Sequence, residues 1–117
     1  MSPLPLSIPR EERRYAVLDH YAAAPRGWEP VIVLAMPPMP GDDTCIAVAT
    51  RDGVRKAVAH ARVINYVDAD EIPTGEGFRL LAEGFSLAGE DHERAWRLAG
   101  LALESLVDFD AEMEGLA

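Results

Sequence analysis

Lysine and cysteine are almost missing from this chain of 117 residues: Lys56 and Cys45 are the only ones. One thiol closes no intramolecular disulfide, so the fold must stand on packing. One lysine argues against a lysine-rich phosphate-binding surface. Long apolar runs are also wanting. The stretch from Val31 to Met39 is about half a membrane span and contains Pro37 and Pro38. Residues 2–9 (SPLPLSIP) have no basic n-region, and three prolines interrupt them, so they do not read as a secretory leader. Repeats and low-complexity tracts are absent, which excludes collagen, coiled-coil and disordered classes. A cytoplasmic protein with no membrane contact is the expectation.

What is present fits a single small domain. Hydrophobic residues make up 49% and charged residues 26%, enough to build one core and too little chain for two. We read residues 1–9 as an extended N-terminal segment and 10–117 as one α+β domain.

Charge is unevenly spread. The net charge is −9, yet residues 1–60 carry seven basic and seven acidic side chains, and residues 61–117 carry four basic and thirteen acidic. After Arg97 no cation follows, while Glu104, Asp108, Asp110, Glu112 and Glu114 do. Such a half repels phosphate backbones and attracts basic surfaces, so direct nucleic-acid binding is not expected.

Along the chain, Tyr15, Leu18 and Ala22 fall at helical spacing, with Val17 and Tyr21 widening the stripe. This predicts a first helix capped by Ser7 and ended by Pro25, Gly27 and Pro30. Val31 to Met36 is a β-branched apolar run of strand length, and Pro37 to Asp43 reads as a turn-rich connection. Thr44 to Thr50 predicts a second strand. Asp52-Gly53 signals a two-residue hairpin turn that returns Val54 to Val67 along that strand, although Val54, Ala57, Val58 and Ala61 also fit a helix. Thr74 caps a helix with Phe78, Leu81, Ala82 and Phe85 on its apolar side, stopped by Gly89. From Asp91 onward, Ala95, Leu98, Ala99, Ala102, Leu106, Phe109 and Met113 mark one buried helical face. The expected architecture is therefore α+β: a three-stranded antiparallel sheet with helices on one face, order α-β-β-β-α-α.

Chemical motifs are weak. A two-residue turn would set Cys45 opposite His60, a thiol beside an imidazole, but no third group orients the base. HExxH, CxxC and EF-hand patterns are missing, and Asp19-His20 or Asp91-His92-Glu93 neighbours diverge by about 100° on a helix. Neither a metal centre nor a cofactor is expected. Gly75-Glu76-Gly77 lacks the spacing of a phosphate loop, and Pro37-Pro38-Met39-Pro40 has no flanking arginine to make it a polyproline ligand.

The acids are the stronger signal. Asp68, Asp70 and Glu71 cluster after a strand, and Glu104, Asp108 and Glu112 ride on a helix whose apolar stripe continues to Met113. Acids near a helix C-terminus oppose the macrodipole, which a basic partner would offset. These six residues are the candidate partner-binding set. The expectation is a non-enzymatic acidic interaction module that covers a basic surface of another protein. Inhibitors of nucleases or CRISPR effectors, and toxin-immunity proteins, act by such physics. A small Cys45/His60 enzyme is the alternative. So is a self-associating accessory subunit, because Arg51, Arg55, Lys56, His60 and Arg62 form a basic strip that a second copy's acidic helix could meet as a homodimer.

Overall fold

Where a first helix is expected, the chain forms a strand. The computed structural model describes residues 8–20, 27–35 and 44–116. After a 3-10 turn at Arg10–Glu12 come β1 (Arg14–His20), β2 (Gly27–Ala35), β3 (Cys45–Thr50) and β4 (Arg55–Ala59). A 3-10 turn at His60–Arg62 leads to β5 (Val63–Asp68), and another at Ala69–Glu71 leads to α1 (Gly75–Leu87) and α2 (His92–Leu116). The protein is thus α+β with a five-stranded antiparallel sheet, order β4-β3-β2-β1-β5, and two helices.

This corrects the expected three strands and the order α-β-β-β-α-α. Tyr15, Ala16, Val17 and Leu18 are all fully buried, alternately on the two faces of the sheet. A strand covered on both sides has no period of two, and in a short apolar run it cannot be told from a helix. The expected helix positions Tyr21 and Ala22, most of the 1–9 segment, and the 37–43 connection lie outside the described residues. Pro30, expected in a loop, sits inside β2 opposite Val17. It is tolerated because pairing with β3 begins only at Val31, so the missing N–H faces no ladder on that side.

The second correction concerns 54–67, which is two strands at opposite edges of the sheet. A four-step path through a 3-10 turn, at about 2 Å per residue, covers roughly 8 Å. Four strand spacings of about 4.8 Å would separate the edges of a flat sheet by roughly 19 Å. The sheet therefore rolls. Val58 of β4 consequently shares a cluster with Val63 and Tyr66 of β5, together with Ala16, Leu18, Val31, Ile46 and Val48. The opposite face receives the helices, with Tyr15, Val17, Ile32 and Val67 packed against Leu81, Phe85, Leu106 and Phe109.

The helices follow their local signals. Thr74 accepts the Glu76 N–H at the start of α1, and Gly89 takes φ 104° just beyond its end. Asp91 accepts the Arg94 N–H at 2.9 Å ahead of α2. α2 runs on to Leu116 because Phe109 and Met113 stay buried against the sheet.

Candidate functional site

The β3–β4 hairpin decides the fate of the thiol–imidazole pair. Its loop is Arg51–Gly53, closed by the Thr50 N–H to the Val54 carbonyl at 2.8 Å and by the Gly53 N–H to the Thr50 carbonyl at 3.0 Å. Gly53 has φ 92°, as a three-residue loop with a left-handed last residue requires. A loop one residue longer than the expected two shifts the register by one, so Cys45 faces Ala59. One step in register sends a side chain to the other face of the sheet. His60 accordingly turns away from Cys45, and its Nδ1 lies 2.5 Å from the Tyr66 hydroxyl. The expected Cys45–His60 juxtaposition does not form.

The candidate acids divide into two groups. Two of the three at the end of β5 are held by their own chain. Asp68 accepts from Arg14 Nε at 2.8 Å, and Glu71 accepts the Asp68 N–H at 2.8 Å in a reciprocal cap. The bond to Asp68 holds the Arg14 guanidinium above the usual arginine range. Asp70, on the same turn, is exposed.

On α2, Glu104, Asp108 and Glu112 follow one another at steps of four, all exposed on one side. Glu112 is engaged. Arg51 donates to it twice, at 2.7 and 2.8 Å, and this holds its carboxyl below the usual carboxylate range. Asp108 lies within the field of the same guanidinium. Among the described residues, Glu104 and Asp108 accept no hydrogen bond from a cation and sit in no ion pair.

Asp110 and Glu114 belong to a lock around the buried Arg13. Arg13, only 4% exposed, donates to Glu114 at 2.8 Å and lies 3.9 Å from Asp110, while the Tyr15 hydroxyl donates to Asp110 at 2.7 Å. Burial, reinforced by Asp110, pushes the Tyr15 phenol well above the ordinary tyrosine range. This lock ties β1 to the last turns of α2, so its acids are structural.

Sequence reasoning missed an apolar feature. Leu87, Trp96, Leu101 and Val107 are exposed large side chains, at 83, 53, 49 and 45%. All four lie on the helical hairpin, the three on α2 off its buried stripe, and that offset is the signal that could have found them. Trp96 packs edge-on against Phe78 with centroids 5.1 Å apart. Together with Ala82, Leu87 and His92 they line an open groove of about 510 Å³ between α1 and α2. The Glu76–Arg79–Glu83 ion triad runs along α1 beside it.

The basic strip is likewise dispersed. Arg51 is committed to Glu112, Lys56 to Glu29 at 3.2 Å, and Arg62 to His20 at 3.0 Å. No group of three or more His, Cys, Asp or Glu among the described residues could hold a metal ion. None of their helices is long and apolar enough to cross a membrane. No family model matches the chain, and the searches of curated proteins and solved structures found no match to it.

Proposed function

We propose that the protein is a non-enzymatic interaction module whose docking face is the outward side of the α1–α2 hairpin, and that its partner is a protein with a basic surface around an apolar centre. One observation carries this reading. Four exposed large apolar side chains share the hairpin with Glu104 and Asp108, acids that no cation of the described residues pairs. Leu101, Glu104 and Asp108 fall at helical spacing, so an apolar contact and two anions project together. Apolar anchors in a groove supply affinity, and the acids speed encounter and select a basic partner.

The reading narrows the acidic set from six residues. Asp68, Glu71 and Glu112 serve the fold through Arg14, the reciprocal cap and Arg51. That leaves Asp70, exposed on the turn before α1, and on α2 Glu104 and Asp108, which form the electrostatic half of the face. A nucleic-acid-binding enzyme displays a basic surface of the required kind. An inhibitor or immunity role in the cytoplasm is the form of the proposal we put forward.

The test is affinity capture from host lysate on the wild-type protein, on Glu104→Lys/Asp108→Lys, and on Trp96→Ala/Leu101→Ala. A basic protein should be retained by the wild type, elute as salt rises, and be lost from both variants while their circular dichroism is unchanged. Equal retention by all three columns overturns the reading. Sedimentation at low and high salt addresses the homodimer alternative. Salt-sensitive self-association abolished by the same substitutions would replace a foreign partner with a second copy.

A further inference from the structure

The rolled sheet carries a charged clasp at one end of its enclosed side. Glu29 on β2 accepts from Lys56 of the edge strand β4 at 3.2 Å and faces His20 Nε2 of β1 at 3.0 Å. The other ring nitrogen of His20, Nδ1, lies 3.0 Å from Arg62 Nη2, and Arg62 Nε donates to the Asp19 carbonyl at 3.3 Å. Arg62 belongs to the 3-10 turn that joins β4 to β5. The clasp thus gathers one sheet edge and the link to the other edge onto β2 and β1.

The protonation state of His20 follows from its partners. A guanidinium only donates, so Nδ1 must accept, and Nε2 must carry the proton and donate to Glu29. The neutral ring with Nε2–H is the only form that satisfies both contacts. A second proton on Nδ1 sets two donors against each other, with the Lys56 ammonium also gathered on Glu29. Glu29 keeps its bond in either state. Arg62 is therefore the contact that gives way.

We propose that His20 is a proton-operated latch: when its ring takes a second proton, Arg62 leaves it and the 60–62 turn that holds the rolled sheet closed loosens. The charged groups facing His20 are Glu29 from β2, Lys56 from β4 and Arg62 from the turn. His60, in the same turn, is the competing titratable group. Its partner is the Tyr66 hydroxyl, which can donate or accept, so charging His60 leaves that contact possible. The latch does not depend on the docking face proposed above.

Two measurements test it on the full chain. Nitrogen-15 spectra at alkaline pH should show His20 with a bare Nδ1 and a protonated Nε2. Hydrogen exchange should then follow two amides that report on the turn, His60 N–H, bonded to the Thr44 carbonyl at 2.8 Å, and Val63 N–H, bonded to the His60 carbonyl. After correction for intrinsic exchange, their protection should fall at least about tenfold as His20 charges. His20→Gln offers an amide oxygen to Arg62 and an amide nitrogen to Glu29 without titrating, so it should abolish the fall. His60→Gln should retain it. A His20 ring with its proton on Nδ1 at alkaline pH, a fall that persists in His20→Gln, or one that vanishes only in His60→Gln overturns the latch.

Discussion

Two glycines inside helices make the same substitution a test with opposite outcomes. Alanine is favoured over glycine in a helix interior by about 1 kcal/mol. A Cβ on Gly100 would meet only Phe78 Cε2 at 3.9 Å, an ordinary contact. Gly100→Ala should therefore stabilise the protein by about 0.5–1 kcal/mol. A Cβ on Gly84 would lie 2.8 Å from Ile64 Cγ2 and 2.9 Å from its carbonyl carbon, closer still to the carbonyl oxygen. That obstacle is the backbone of β5, which cannot rotate aside. α1 must lift from β5 by several tenths of an ångström, and a gap of that order forfeits a quarter to a half of each dispersion contact beneath it. The contacts at risk include Leu81 and Phe85, both buried in the helix-side core. Overpacking of this kind costs about 1–3 kcal/mol, and an obstructing backbone puts it at the upper end. Propensity returns about 1 kcal/mol, which leaves Gly84→Ala about 2 kcal/mol less stable than the wild type. Urea unfolding followed by circular dichroism reads both variants on one scale. If Gly84→Ala matches or exceeds wild-type stability, α1 does not sit on β5 as described.

Two further outcomes follow from the hairpin and the lock around Arg13. A Cβ on Gly53 would have nothing within 4 Å, so Gly53→Ala isolates the cost of its φ of 92°. We expect a loss of about 1–2 kcal/mol in chemical denaturation, against none for Gly75→Ala, and equal stability of the two would remove the three-residue loop from the argument. The second outcome concerns alkali. Because the folded Tyr15 phenol titrates above the ordinary tyrosine value, the unfolded chain loses that proton first as pH rises. Its contribution is then complete below about pH 10 and declines as pH climbs from there toward the folded value. Tyr66 is also raised by burial, with Arg14 opposing, so wild type must be compared with Tyr15→Phe to isolate Tyr15. The stability of the wild type should fall more steeply above about pH 10, and parallel slopes would show that Tyr15 is not held by burial and Asp110.

The candidate face was half readable beforehand. Glu104 and Asp108 stand out because no cation follows Arg97, and they remain available in the fold. Asp68 and Glu112 looked equivalent to them, but Arg14 and Arg51 engage them from 54 and 61 residues away. Net charge by segment carries no information on such distant pairing. Trp96, Leu101 and Val107 could have been separated from the core by their angle on the helix, since α2's stripe at Ala95, Ala99, Ala102 and Leu106 is regular.

Both helices were encoded locally. Thr74 before α1, Gly89 after it, Asp91 before α2 and the apolar spacing to Met113 act within a few residues of one another, so a linear reading suffices. That the chain turns at Asp52-Gly53 was encoded in the same way, but the length of the loop was not. What required the folded molecule was everything set by partners far along the chain. β1 is a strand because β2 and β5 flank it and both its faces are covered. The loop's extra residue set the pairing of β4 and thereby parted Cys45 from His60. The roll of the sheet brought Lys56, Glu29, His20 and Arg62 together from four separate elements. Local signals store their energy between near neighbours. Register, closure and ion pairing arise only once distant segments share a surface.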